Sequence, residues 1–264
     1  MTTTTDVGPP HAEVSSARVL ARTCAAEWTR LWTVRATWLF LVAGAVVMVG
    51  IAAAAGSGAA SDPEAAGDPA WVAAEFTTLP GQFAFLALAL TLVTSDYATG
   101  GIVPTLQWTT RRTVLLVARS IVAVTVATAA AVLLALAAVL TALTASRGVL
   151  VLPADGAGVL ATVALVVAAG SLLGVGLGFL LRSTAGVLVS VFLVMLVLPI
   201  MLPNLPLEWG DDVARLLPGT GAVHLLVGEI DGMTTSSSVS VLLVWASAAL
   251  LLGWLRLVRT DANT

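Results

Sequence analysis

Residues Ser95–Arg119 read SDYATGGIVPTLQWTTRRTVLLVAR, a polar island of net positive charge between two long apolar runs. Gly100 and Gly101 can adopt backbone angles with φ > 0, and Pro104 interrupts any helix that resumes after them. The sequence on either side has the composition of membrane-embedded helices. We therefore interpret this stretch as a structured loop at one membrane face, where a partner protein could bind the transmembrane domain.

The composition excludes an ordinary soluble domain. Of the 264 residues, 58 % are hydrophobic and only 10 % are charged, with a mean hydropathy of +1.00. Soluble domains carry about 25 % charged residues. The apolar runs of about 20 residues are continuous, whereas the strands of a membrane barrel alternate polar and apolar residues. Because lipid offers the backbone no hydrogen-bond partners, these runs should be α-helices.

The runs predict an all-α integral membrane protein with six transmembrane helices in a domain covering 37–255. The predicted spans lie at about 37–55, 79–94, 118–144, 157–181, 185–202 and 239–255. The fourth span carries a ridge of Gly170, Gly174 and Gly178, which favours close packing inside the bundle over a dimer seam. The fifth span is expected to close in three prolines that break the helix, Pro199, Pro203 and Pro206.

The residues outside this domain divide into three segments. Residues 1–15 are expected to form a disordered tail, and 256–264 a cytoplasmic tail. Residues 16–36 predict an amphipathic helix whose apolar arc holds Leu20, Ala21, Cys24, Trp28, Leu31 and Trp32. Its opposite arc holds Arg18, Arg22, Thr29, Arg30 and Thr33. Such a helix suits the membrane interface, with its arginines turned toward anionic lipid.

The distribution of arginine predicts the orientation. Arg147 and Arg215 flank one side of the predicted spans, while the other ten arginines flank the opposite side. Cytoplasmic loops carry the excess of basic residues, so both termini are predicted to be cytoplasmic. Alanine- and valine-rich composition with arginine in place of all lysine is typical of a GC-rich genome, which favours a bacterial plasma membrane.

Several chemistries are excluded by what the sequence lacks. It contains no lysine, so it has no phosphate-binding loop of the G-x-x-x-x-G-K-[S/T] type and should bind no nucleotide itself. The single cysteine and two distant histidines offer no metal-ligand spacing. No ionisable side chain lies at mid-depth in a predicted span, which argues against an ion-coupled carrier. No nucleophile–base pair indicates an enzyme, and no nucleic-acid partner is expected.

Three stretches resemble the membrane permeases of ABC-2 type exporters. The sequence Asp96-Tyr97-Ala98-Thr99-Gly100-Gly101-Ile102 is similar to a segment that follows the second span in that family. It precedes a basic pair, Arg111-Arg112, and Arg119 in the third span. Residues 26–35 resemble the family's amphipathic elbow helix, with Arg30 where lysine is usual. Residues 216–221 are similar to its outer helical hairpin.

The resemblance implies a subunit that pairs with a second permease subunit, identical or related, and recruits two copies of a separate ATP-binding subunit. ATP and Mg²⁺ would then bind to that partner, and this chain would need no cofactor of its own. The residues implied to couple ATP hydrolysis to transport are Glu27, Arg30, Asp96, Tyr97, Gly100, Gly101, Arg111 and Arg112.

The resemblance also places the translocation path along the second and fifth spans. The side chains implied to line the path are Gln82, Phe83, Phe85, Leu86, Leu90, Val191, Met195 and Leu198. This apolar lining suggests a hydrophobic or amphiphilic substrate, such as a lipid or a drug-like natural product. A second hypothesis stays open: a membrane anchor or scaffold that holds a cytoplasmic partner without transporting anything.

Overall fold

The computed structural model describes residues 15–102, 112–206 and 208–259. Within these ranges the chain is almost entirely helical, and its β-type pairing is an isolated bridge between Pro69 and Val151. The helices are α1 (Ser16–Thr33), α2 (Arg35–Ala59), α3 (Val72–Thr99), α4 (Arg112–Ala145), α5 (Gly156–Leu181), α6 (Thr184–Phe192), α7 (Leu198–Met201), α8 (Gly210–Arg215), α9 (Pro218–Val227) and α10 (Thr235–Arg259). Short 3₁₀ turns occupy Pro63–Ala65 and Leu202–Asn204, and a π-helix, Leu193–Val197, joins α6 to α7.

Six helical stretches among the described residues are long and apolar enough to cross a membrane, which confirms the predicted number. They are α2, α3, α4, α5, the continuous stretch Thr184–Asn204 and α10. The predicted disordered tail at 1–15 lies outside the described residues except for Ser15, whose backbone carbonyl accepts from the first turn of α1. Residues 256–259, predicted as tail, belong to the last turn of α10.

The spans extend further than hydropathy indicated. The second begins at Val72 and ends at Thr99, where the sequence predicted about 79–94. The hydroxyls of Thr77 and Thr78 each donate to the backbone carbonyl four residues earlier, at 2.6 Å, so these polar residues stay inside the helix. The third span begins at Arg112 instead of about 118. A polar residue therefore marks the end of an apolar run but not the end of a helix.

Glycines set the closest contact in the bundle, between α5 and α10. A Cβ added to Gly176 would lie 2.5 Å from the amide nitrogen of Leu250, and one added to Gly253 would lie 2.5 Å from the carbonyl oxygen of Gly176. Lipid chains are as apolar as leucine, so membrane helices associate mainly through close van der Waals contact between small residues. These two glycines let the backbones of α5 and α10 touch.

The predicted glycine ridge of α5 lies against α3 inside the bundle. Cβ atoms added to Gly170 and Gly178 would lie 2.9 Å from Leu86 and 3.1 Å from Val93, respectively. The later glycine of α5 meets the later residue of α3, so the two helices run parallel. The ridge therefore fixes the position of α3 against α5.

The fifth span, predicted at about 185–202, runs from Thr184 to Asn204 and passes through Pro199 before it ends. Pro199 has no N–H to donate to the Met195 carbonyl, and the chain forms the π-helix there, with the Leu198 amide donating to Leu193. At this point α9 approaches so closely that a Cβ on Gly219 would lie 2.5 Å from the Met195 carbonyl carbon. The span then continues through α7 and ends in the 3₁₀ turn at Asn204.

The α5–α10 contact can be tested with Gly176→Ala. The added methyl group would collide with the backbone of α10, and we expect the free energy of unfolding to fall by about 1–3 kcal/mol. The control is Gly50→Ala in α2, where an added Cβ meets no atom within 4 Å. Thermal unfolding in detergent measures both variants. Equal melting temperatures for the two would contradict this packing.

Candidate functional site

A cluster of four charged side chains joins three helices at one end of the bundle. Glu27 and Arg30 come from α1, Asp96 from the last turn of α3, and Arg119 from α4; we call these four residues the ion cluster. Arg119 donates from Nε to Glu27 Oε1 at 3.0 Å and from Nη2 to Asp96 Oδ2. Arg30 donates from Nη1 to Asp96 Oδ2 at 2.8 Å and from Nη2 to Oδ1.

The ion cluster is buried and formally neutral. Arg119 has 0 % of its surface exposed, Asp96 4 % and Glu27 5 %, while Arg30 is half-buried. An isolated buried charge would cost several kcal/mol, but here two guanidinium groups face two carboxylates, and each carboxylate contacts both arginines. Removing any one member leaves an uncompensated charge. The cluster is therefore a joint that holds α1 to α3 and α4.

The buried face of α1 differs from the predicted apolar arc. Its fully buried residues are Glu27 and Leu31, and Arg30 turns inward to Asp96 instead of toward lipid. Trp28, predicted on the apolar arc, is exposed and packs edge-on against Trp32 with ring centroids 5.8 Å apart. The ion pairs of α1 with charged residues on α3 and α4 determine which face of α1 is buried, because a buried charge needs an opposite charge on the facing helix. The hydropathy of the two arcs does not determine it.

Cys24 lies on the same face of α1, one turn before Glu27. Burial raises the pKa of its thiol, and the neighbouring Glu27 carboxylate raises it further. The thiol therefore remains protonated at neutral pH and is a weak nucleophile. Among the described residues, no group of three His, Cys, Asp or Glu side chains is placed to hold a metal ion.

Sequence reasoning missed the central role of Arg119. An arginine near the start of a span is able to extend to the membrane surface, but Arg119 points into the bundle and meets both carboxylates. The signal that could have found this role is an arginine between the runs Thr113–Ala118 and Ile121–Ala127, which contain no other charge. Such a side chain requires an acidic partner in the fold.

The remaining predicted coupling residues lie beside the cluster or apart from it. Gly100 ends α3 with φ +73°, a left-handed conformation that favours glycine, and Gly101 lies next to the Asp96 carboxylate. The Tyr97 ring lies 5.4 Å from the Arg182 guanidinium. Arg112 instead donates to the Leu257 carbonyl of α10 at 2.8 Å. Arg111 lies outside the described residues.

Four of the eight predicted path residues line one apolar groove between α3 and α6. The groove has a volume of about 340 Å³ and is bordered by Phe83, Leu86, Leu90 and Val191. The other four do not share it. Phe85 faces Gly44 of α2, Met195 lies against α9, Gln82 donates to its own helix at Leu79, and Leu198 is half-buried.

The sequence matches no known protein-family model, and no curated protein matches it. What the chain does is therefore inferred from the ion cluster, the groove and the sequence.

The geometry of the ion cluster predicts that lysine cannot replace Arg119. Arg119 uses two different nitrogens, Nε for Glu27 and Nη2 for Asp96. A lysine has a single ammonium group, which cannot reach both carboxylates, so one buried carboxylate would lose its partner. We expect Arg119→Lys to lower the free energy of unfolding by about 3 kcal/mol.

Arg30→Lys is the matched control. Arg30 is half-buried and contacts mainly Asp96, so a lysine there keeps its charge near the carboxylate and its ammonium near solvent. We expect a loss below about 1 kcal/mol. Equilibrium unfolding in detergent compares the two, and equal losses would show that Arg119 does not bridge both carboxylates.

Proposed function

We propose that this chain is the permease subunit of an ABC exporter, which forms the path for a hydrophobic or amphiphilic substrate and is driven by a separate ATP-binding subunit. The observation that carries the proposal is the ion cluster. It fixes α1 to the end of α3, where the loop with the family-like sequence begins. These are the two segments that the resemblance assigns to docking the ATP-binding subunit.

The proposed mechanism is mechanical. Two ATP-binding subunits contact the exposed face of α1 and the loop after α3, and their ATP-driven closure pushes on both. Because Asp96 is held by Arg30 and Arg119, such a push cannot move α1 without moving α3 and α4. Helix α3 forms one wall of the groove and α6 the other, so displacement of α3 changes the groove.

The absence of lysine supports a division of labour between subunits. A chain without a phosphate-binding lysine depends on a partner for ATP and Mg²⁺. In the proposal, a second permease subunit supplies the other half of the path. The excess of arginine at the ion-cluster end supports placing that end, with both termini, on the cytoplasmic side. The alanine- and valine-rich composition without lysine supports a bacterial plasma membrane.

The docking surface can be tested by charge reversal. Arg22 is exposed on α1 at the ion-cluster end, and Arg147 is exposed at the opposite end of the bundle. The tagged wild-type chain, extracted from its native membranes in mild detergent, should co-purify with a stoichiometric protein that carries a Walker A motif. Arg22→Glu should reduce that yield about tenfold, because charge reversal opposes a complementary surface.

Arg147→Glu should leave the yield unchanged, and mass spectrometry measures it in each case. A clean preparation without any nucleotide-binding protein, even with ATP and Mg²⁺ present, would reject the transporter and favour the scaffold hypothesis. Equal yields for the two variants would reject α1 as the docking surface.

The groove can be tested by filling it. Ala87 lies between Leu86 and Leu90 on its wall, and Ala87→Trp should abolish ATP-dependent accumulation of the lipophilic dye Nile red in inside-out vesicles. The control, Val46→Trp, adds a similarly large side chain at an exposed position of α2 and should transport normally. Melting temperatures verify that both variants fold. Normal transport by Ala87→Trp would remove the groove from the path.

A further inference from the structure

A second cavity lies at the end of the bundle opposite the ion cluster. It has a volume of about 430 Å³, within the range of about 300–1,000 Å³ typical of small-molecule sites. Its walls come from the ends of α2, α3 and α4, and they are mostly alanine and branched aliphatic side chains. Among the described residues, none that belongs to the proposed docking surface or to the groove lines this cavity.

The connection between α2 and α3, residues 60–71, forms the roof of the cavity and is held by hydrogen bonds. The connection between α2 and α3 is tied to the segment after α4 by three backbone hydrogen bonds, from Gly67 to Val149 (3.0 Å), Val151 to Asp68 (3.0 Å) and Ala70 to Val151 (2.8 Å). The Trp71 indole donates to the Pro153 carbonyl at 2.9 Å. These bonds fix the position of the connection over the cavity.

Exposed apolar side chains border the cavity. Val72 and Phe76 border it and are 51 % and 57 % exposed, as expected for side chains that face lipid. The Thr77 hydroxyl, also on the wall, already donates to Ala73. Among the described residues that line the cavity, Asp68 carries the only ionisable side chain, and it is exposed.

The charge around the roof is negative. The connection 60–71 holds Asp62, Glu64 and Asp68 and contains no basic residue. The segment paired with it, 146–153, contributes one charge, Arg147. An apolar slot below an acidic rim complements a ligand that has an apolar tail and a positively charged head.

We infer that this cavity binds the apolar tail of a cationic amphiphile, whose head lies at Asp68. The tail replaces lipid against Ile51, Ala55 and Phe76, while the head remains in the acidic, water-exposed rim. This site goes beyond the proposed transport function. Binding here needs no ATP-binding partner, so a scaffold protein with the same fold would bind the same ligand.

The test uses two photoreactive probes on the purified chain in phosphatidylcholine nanodiscs. One probe is dodecyltrimethylammonium with a diazirine near the end of its tail, and the other is the matching dodecyl sulfate. We expect the ammonium probe to label the cavity ends of α2 and α3 about fivefold more than the sulfate, consistent with one exposed charge contact. Mass spectrometry locates and quantifies the label.

Two matched pairs of variants sharpen the result. Ala55→Trp fills the cavity and should abolish labelling, whereas Ala54→Trp, at the neighbouring exposed position of α2, should not. Asp68→Asn should remove the preference for the ammonium probe, whereas Asp211→Asn, which removes an exposed acid of α8, should preserve it. Melting temperatures verify folding. Equal labelling by both probes, or labelling that survives Ala55→Trp, would overturn the inference.

Discussion

The ion cluster is the interaction on which the arrangement of the helices depends. Two arginines and two carboxylates at the end of a bundle of membrane-compatible helices are tolerated only together, because Glu27, Asp96 and Arg119 are buried and each alone would be unsolvated. Arg119 binds Glu27 and Asp96 at once, and this fixes α1 against α3 and α4 in one relative position. Apolar side chains can pack against one another in several registers along a helix. One guanidinium that binds two carboxylates allows only one register. The position of α1 is therefore specified by charge geometry.

Close packing carries that constraint into the rest of the bundle. Hydrophobic burial gives little net attraction between helices in lipid, so the glycine contacts determine which helices touch. Gly170 and Gly178 seat α3 on α5, and Gly176 and Gly253 seat α5 on α10. Helix α3 thus has the ion cluster at one end and the groove beside its glycine contact, since Leu86 both faces Gly170 and lines the groove. Any displacement at the cluster reaches the groove through this one helix.

The number of spans could be predicted from the sequence because lipid demands long, continuous apolar helices. The helix ends could not be predicted in the same way. Thr77 and Thr78 lower the hydropathy of their segment, but their hydroxyls donate to carbonyls within α3, and hydropathy does not register these hydrogen bonds. The same limit applies to the site. Glu27, Arg30 and Asp96 were singled out through the family resemblance, but periodicity assigned Arg30 to the lipid side, and Arg119 was noted only as a basic residue near the start of the third span. Which charge meets which is a tertiary property that a single sequence does not contain.

The structure also changes what the arginine count means. Part of the excess at the ion-cluster end is used inside the fold: Arg112 donates to the Leu257 carbonyl, and Arg256 donates to the Leu180 carbonyl. Cations placed at the carbonyl ends of helices stabilise those ends, so these side chains have a structural role as well as a topological one. Arg18 and Arg22, exposed on α1, are better placed to meet an acidic partner. The distribution of arginine along the sequence can therefore support an orientation in the membrane. A docking surface can be inferred only from those arginines that make no contact within the fold.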